Sequence, residues 1–422
     1  MKKIDTRCVQ SGYTPKNGEP RVVPVVQSTT FSYETAQSLA DLFDLKSDGY
    51  FYTRLANPTV AAFENKIADL DGGSGAIACS SGMSATLLAV LNVCNANDNI
   101  VSSNAIYGGT FNLFSTTLKK YGIETRFFDP DDTKENIEKL IDDRTKVIFA
   151  ETLANPTIVV LDFDKIASIA KKHKVLFMVD NTLVTPVLCR PLELGANIVI
   201  YSSSKYLDGH AVALGGVLVD GGNFDYKSTN RYEEFLVPDE SYHGLIYADL
   251  GKTAFLTKCR AQMMRDFGTM MSPQNAFLTT LGMETLALRM ERHSYNAKKV
   301  AEFLSKNDKV EWVKHPSLKT DKYYSLAQKY LPLGMGGMMS FGVKGGSEKA
   351  ARFMENLKMI KIVTHVADVR SCVLHPASTT HRQLSKENLE SIGIAENLVR
   401  LSVGIENIED IIDDLNQALN NL

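Results

Sequence analysis

The sequence predicts an α/β protein: a mostly parallel sheet covered by helices, followed by a smaller α+β domain. Three observations point there. From Thr59 onward, short apolar runs alternate with longer amphipathic ones. The apolar runs are nearly continuous, as strands buried on both faces are. After about Met271 the rhythm changes, and one long helical stretch precedes isolated strand-like pieces. A chain of 422 residues is too long for one small core and suggests about two domains. The division expected is an N-terminal arm over 1–58, a large domain over 59–270 and a C-terminal α+β domain over 271–422.

The arm is punctuated by Pro15, Pro20, Pro24 and Pro58 and by Gly12, Gly18 and Gly49, so it reads as irregular. With little core of its own it must pack on the main domain or on another subunit. A helix follows from near Thr59 to Leu70, where Val60, Phe63, Ile67 and Leu70 recur at helical spacing. Strands are expected at Ala76–Cys79, Asn99–Ser102, Thr125–Phe128, Val147–Ala150, Val175–Val179, Ile198–Tyr201 and Gly216–Val219. Helices are expected between them at Ser84–Cys94, Phe111–Tyr121, Thr133–Ile141 and Phe163–His173. Beyond Met271 the expectation is a helix over roughly Ser272–Val300, strands at Gly337–Val343, Ile360–Val363 and Leu398–Val403, and a last helix from about Asn407.

Bulk properties exclude several classes. Hydrophobic residues make up 44 % and charged residues 23 %, which is ordinary globular usage. A net charge of −3, with both signs interspersed, gives no general attraction to nucleic acid or anionic membrane. The six cysteines are scattered and form no C-x-x-C pair, which fits a reducing compartment better than a disulfide framework or a zinc ribbon. MKKIDTRCVQSGY lacks an apolar stretch after its lysines, and no run of about 18 apolar residues occurs. A cytoplasmic protein is expected, and no metal.

The chemistry centres on Asp180 and Lys205, each just past an apolar strand. VLFMVDNT ends on Asp180, and NIVIYSSSKYLDGH ends on the run Ser202-Ser203-Ser204-Lys205. Two strand ends in one parallel sheet share a rim, and such rims hold binding sites. A plain salt bridge is the ordinary alternative. Ser80-Ser81-Gly82-Met83 opens a helix, and its free N–H groups suit a phosphate as well as a simple cap. The hydroxyls of Ser202 and Ser204 can face the same anion. Tyr107, after the strand near Ile100, can stack on a planar ring or serve as a core or surface tyrosine. Together these are the parts a pyridoxal-phosphate (PLP) site needs: a Schiff-base lysine, a carboxylate for the pyridine nitrogen, an aromatic platform and an anion nest.

The stretches FYTRLANPT, SSGMSA, AIYGGTFNLF, ETLANPT, VDNTLVTPVLCRPLELGA, SSSKYLDGH, GGVLVDGGNFDY, HPASTTHRQL and NLVRLSVGIEN, in that order, carry a resemblance. The chain resembles the Cys/Met-metabolism family of PLP-dependent enzymes, with the aspartate aminotransferase-like fold (fold type I), over essentially its whole length. It is most similar to the O-acetylhomoserine sulfhydrylases (homocysteine synthases), and the methionine γ-lyases are similar too.

The resemblance implies roles. Lys205 would hold PLP as a Schiff base and move protons, and Asp180 would pair with the ring nitrogen. Tyr107 would stack on the ring and assist elimination. Ser81, Gly82 and Met83 would face the phosphate, with Ser202 and Ser204 adding hydroxyls. Asn155 would lie near the ring hydroxyl. Tyr52 and Arg54 would reach the phosphate of a neighbouring subunit, in a homotetramer built from dimers with shared sites. Arg400 would grip the substrate α-carboxylate, a task suited to guanidinium geometry, with His365 near it.

The implied reaction is γ-replacement on O-acetyl-L-homoserine by sulfide or a thiol, giving homocysteine or methionine and acetate. Methionine γ-lysis to 2-oxobutanoate, methanethiol and ammonia is the alternative. Many such lyases carry Cys after Tyr-Gly, where this chain has Gly109. A non-catalytic scaffold is opposed by the intact residue set, and a nicotinamide dehydrogenase by the lack of G-x-G-x-x-G in an early βαβ unit. The chain departs from the family pattern at Ser204 (usually Thr), Asn197 (usually Asp or Gln), Ala211-Val212-Ala213 (usually small and polar) and His365 (often Ser or Asn).

Overall fold

A computed structural model describes residues 2–379, 382 and 393–422. Seven strands form the main sheet: β1 Gly75–Cys79, β2 Asn99–Ser103, β3 Glu124–Phe128, β4 Thr145–Glu151, β5 Leu176–Asp180, β6 Ile198–Tyr201 and β7 Gly216–Asp220. Their order is β1-β7-β6-β5-β4-β2-β3. All neighbours are parallel except at β7, which runs antiparallel to both β1 and β6. The expected strand Gly216–Val219 is therefore present but reversed. Two reversals cancel, so β1, β2, β4, β5 and β6 all end on one rim.

The strands are apolar because both faces are covered. Val147, Ile148, Phe149, Phe177, Met178, Val199 and Ile200 are all fully buried. Phe163–His173 shows how local sequence sets a covering helix. Asp162 caps it by accepting the Lys165 N–H, basic residues fill its last turn, and Ile166, Ile169 and Ala170 bury one stripe against the sheet.

The expected helices near Thr59, Ser84 and Asn407 appear as Pro58–Asp71, Gly82–Leu91 and Ile408–Asn420. The stretch expected as one helix over Phe111–Tyr121 is instead a short α-turn, a π-turn and a 3₁₀ turn ending at Gly122. Thr133–Ile141 shortens to Lys134–Glu138. The long stretch after Met271 breaks at Thr285 into Pro273–Glu284 and Leu286–Leu304, where the Arg289 guanidinium draws off the Gly282 carbonyl.

A second sheet follows, ordered β10-β11-β12-β9-β8. Its strands are β8 Val310–Lys314, β9 Met338–Val343, β10 Lys361–Ile362, β11 Cys372–Leu374 and β12 Leu398–Ser402. Strands β8 and β11 were not expected from the sequence. The arm is less irregular than expected. Its start is a helix, α1 Ile4–Gln10, tied to the helix Pro58–Asp71 by Arg7 Nε donating to Asp69 Oδ2 at 3.0 Å and Lys66 Nζ donating to Cys8 O at 2.6 Å. A second helix spans Ala36–Phe43. No helix among the described residues is long and apolar enough to cross a membrane.

Candidate active site

Each strand of the shared rim delivers a functional group to one cavity of about 430 Å³. Strand β1 leads into Ser81, Gly82 and Met83, β2 into Tyr107, β4 into Glu151 and Asn155, β5 into Asp180, and β6 into Ser202, Ser204 and Lys205. His365 and Arg400 close the cavity from the second sheet. Eleven of the thirteen residues singled out from the sequence thus meet in one place. Tyr52 and Arg54 do not line it. They stack on each other, with the Arg54 guanidinium carbon 5.1 Å from the Tyr52 ring centre.

The anion nest is set by local sequence. Ser81 caps the helix Gly82–Leu91 by accepting the Ser84 N–H at 3.1 Å, which leaves the first-turn N–H groups directed outward. Gly82 is required by crowding: a Cβ there would sit 2.7 Å from Ser202 Cβ and 2.9 Å from Ser202 Cα. Ser202 is fixed through its own N–H, which donates to Thr182 Oγ1 at 2.8 Å. The Ser204 hydroxyl donates to Gly215 O and accepts from Gly215 N, at 3.1 and 2.9 Å. Its one proton is therefore directed at the neighbouring loop, and Ser204 braces the turn that carries Lys205.

Two carboxylates lie side by side, because Glu151 and Asp180 are register partners on β4 and β5. Asp180 Oδ1 accepts the Thr182 N–H at 2.9 Å. Burial pushes both carboxyls upward, and the Asp180 charge raises Glu151 further. A cation set against Asp180 reverses that cost, as a protonated pyridine nitrogen does. Glu151 Oε1 accepts the Tyr107 N–H at 2.6 Å and so fixes the platform residue, whose ring stays half exposed in the cavity. Asn155 Oδ1 is buried with no partner among the described residues, an acceptor still available to a ligand hydroxyl.

Lys205 is a lysine made reactive. Burial first, and the Arg400 charge second, lower its amine to about 8. Its Nζ lies 3.2 Å from His365 Nδ1. Arg400 sits on β12 between Ser340 and Leu374, and its Nη2 donates to Thr364 O at 3.1 Å. This places a mostly buried guanidinium at the cavity wall. Sequence reasoning missed Glu151 and Thr182. Both stand in the stretches ETLANPT and VDNT, beside Asn155 and Asp180, and their roles depend on register between strands far apart in sequence.

A nucleophilic lysine, a carboxylate for a ring nitrogen, an aromatic platform and an anion nest at the strand ends of an α/β sheet define a PLP-dependent enzyme. The buried acceptor and the crowded glycine fit that cofactor. The family model for Cys/Met metabolism PLP-dependent enzymes matches residues 5–420. An O-acetyl-L-homoserine sulfhydrylase of Leptospira meyeri is 43 % identical, covering 100 % of this chain and 97 % of its own. A homocysteine synthase of Schizosaccharomyces pombe is 42 % identical over 94 % of each chain. Among solved structures, a putative O-acetylhomoserine (thiol)-lyase of Campylobacter jejuni, with N'-pyridoxyl-lysine-5'-monophosphate at position 205, superposes with a TM-score of 0.96 at 40 % identity, covering 99 % of both chains. The chain belongs to the Cys/Met metabolism family of PLP-dependent enzymes, its fold is the aspartate aminotransferase-like one, and its cofactor is PLP. Part of the HPASTTHRQL stretch that helped suggest this lies outside the described residues.

Proposed function

We propose that the protein is an O-acetyl-L-homoserine sulfhydrylase, replacing the γ-acetoxy group with sulfide to give L-homocysteine and acetate. The observation that carries the choice over a methionine γ-lyase is Gly109. A Cβ at that position would stand 2.5 Å from Tyr107 Cε1, so a side chain there would turn the platform ring from the position it holds here. The names of the relatives point the same way.

PLP, when bound, supplies an electron sink that stabilises negative charge beside Cα. This chain's residues do the rest. Arg400 grips the α-carboxylate with parallel N–H groups. Lys205 Nζ, neutral in an appreciable fraction near pH 8, removes the Cα proton and then a Cβ proton. Acetate leaves from Cγ, sulfide adds there, and the two protons return. Asp180 keeps a positive charge fixed on the ring nitrogen, Tyr107 holds the ring plane, and Ser81, Gly82, Met83 and Ser202 hold the phosphate. Ser204 stiffens the lysine turn, and Asn155 meets the ring hydroxyl.

Residues 1–58 form an arm, 59–270 the cofactor domain and 271–422 the smaller domain in this reading. Tyr52 and Arg54 of one subunit complete a neighbour's phosphate site in a cytoplasmic homotetramer. Their position outside their own chain's cavity supports this.

Product analysis by mass spectrometry tests the assignment. With O-acetyl-L-homoserine and sulfide, homocysteine and acetate are expected. Efficient 2-oxobutanoate formation from methionine, without homocysteine synthesis, overturns it.

A further inference from the structure

We propose that Thr182 is a positioning residue that ties the anchor of the ring nitrogen to the grip on the phosphate, its one hydroxyl serving Asp180 and Ser202 together. The ring nitrogen and the phosphate of PLP hang on one rigid ring, so a site that holds both must keep its two grips at a fixed spacing. Here those grips stand on different strands, Asp180 at the end of β5 and Ser202 just past β6. The coupling concerns the cofactor alone, whichever substrate the enzyme turns over.

Thr182 lies two residues past Asp180 and lines the cavity. Its N–H donates to Asp180 Oδ1 at 2.9 Å. Its Oγ1 accepts the Ser202 N–H at 2.8 Å. A hydroxyl that accepts in this way still has its own proton to give, and the Thr182 side chain also bonds to the Asp180 carboxyl. That hydroxyl bridges the turn after β5 and the turn after β6. Ser202 passes the restraint on by packing. Its Cβ and Cα leave no room for a side chain at Gly82, the first residue of the helix that forms the anion nest.

The charge on Asp180 depends on the same residue. Burial opposes it, and the interactions that act against burial are both hydrogen bonds from Thr182. Among the described residues no lysine or arginine supports that charge. The titratable group beside it is Glu151, the register partner on β4, whose own charge would repel it. Losing the Thr182 hydroxyl therefore weakens ionised Asp180 and frees the Ser202 N–H in one step.

Thr182→Val tests this, because it removes the hydroxyl, keeps the shape and leaves the backbone N–H in place. PLP affinity of the apo variants is measured by equilibrium dialysis, and the loaded forms are compared by visible absorption. Thr182→Val is expected to bind PLP about 10- to 150-fold more weakly, the range for one lost hydrogen bond to a charged group. Its cofactor band should move in the same direction as that of Asp180→Asn. Thr182→Ser, which keeps the hydroxyl, should restore both. In an Asp180→Asn background, Thr182→Val should leave the band where it is, since its effect on the ring runs through the missing charge. It should still lower PLP affinity there by about 2- to 12-fold, through the freed Ser202 N–H. Thr182→Ala carries the same expectations and replaces Thr182→Val if circular dichroism shows the latter unfolded. Wild-type affinity and band in Thr182→Val overturn the proposal. So does a Thr182→Ser variant as impaired as Thr182→Val, which would make the methyl group rather than the hydroxyl responsible. A full band shift in the Asp180→Asn background would show that Thr182 does not act through Asp180, and unchanged affinity in that background would show that it does not reach the phosphate grip. Either result also overturns it.

Discussion

The Tyr107 N–H donates to Glu151 Oε1 at 2.6 Å, so a buried carboxyl from one strand end holds the aromatic platform of another. Glu151 in turn stands in register with Asp180. The site is therefore a lattice of strand ends whose members fix each other, and its parts answer to mutation in distinguishable ways.

Removing the Glu151 acceptor leaves a Tyr107 N–H with no partner. Glu151→Ala is expected to destabilise the protein by about 1–3 kcal/mol, while Glu151→Gln, which keeps an acceptor oxygen, should cost much less. Thermal unfolding of the two apo variants against wild type checks this. Equal losses in both would show that the charge, not the hydrogen bond, matters.

Asp180→Asn removes the charge facing the ring nitrogen. A charge-assisted hydrogen bond is worth about 1.5–3 kcal/mol, so kcat/KM should fall by roughly 10- to 150-fold or more. The visible cofactor spectrum should change with it. Steady-state kinetics at saturating PLP separates this from simple loss of cofactor.

The reactivity of Lys205 should follow its lowered pKa. A free lysine amine titrates near 10.4. Here burial and then Arg400 bring it to about 8, so the rate of PLP uptake by apo-enzyme should rise with pH through a midpoint near 8. Arg400→Gln removes a positive charge, which favours the ammonium, so the midpoint should move upward. A midpoint that stays put would show that Arg400 does not act on the amine.

Gly82→Ala sets a methyl group 2.7 Å from Ser202 Cβ, at the mouth of the anion nest. Shifting either segment misaligns the N–H groups, and PLP affinity should fall at least about 10-fold. Equilibrium dialysis measures it. Arg54→Ala should weaken PLP retention by a similar factor, though Arg54 lines no part of its own chain's cavity. Unchanged retention in that variant counts against a shared site.

Much of this was legible in the sequence. Strand β6 and the helix Phe163–His173 lie at their expected bounds, because an unbroken apolar run and a capped amphipathic stripe are local signals. Asp180, Lys205, Tyr107 and Gly82 were legible because strand ends of one sheet share a rim. The reversal of β7 was not, since an apolar run carries no direction. Strand β11 has only three residues, too few to show a period. The helix α1 was hidden because its ties to Asp69 and Lys66 come from residues about 60 positions away. Glu151 and Thr182 depend on register between strands distant in sequence, and the contact between His365 and Lys205 joins a loop of the second sheet to the turn after β6. The bonds between the Ser204 hydroxyl and Gly215 across the loop also join positions that the sequence pattern does not pair.

The central claim is that Lys205 binds the cofactor while Asp180 grips the far side of the same ring. Borohydride reduction of the loaded enzyme, followed by proteolysis and peptide mass spectrometry, tests it most directly. The pyridoxyl group is expected on Lys205 alone, and in Asp180→Asn at the same residue with altered absorption before reduction. A label on another lysine, or a spectrum indifferent to position 180, would contradict the account.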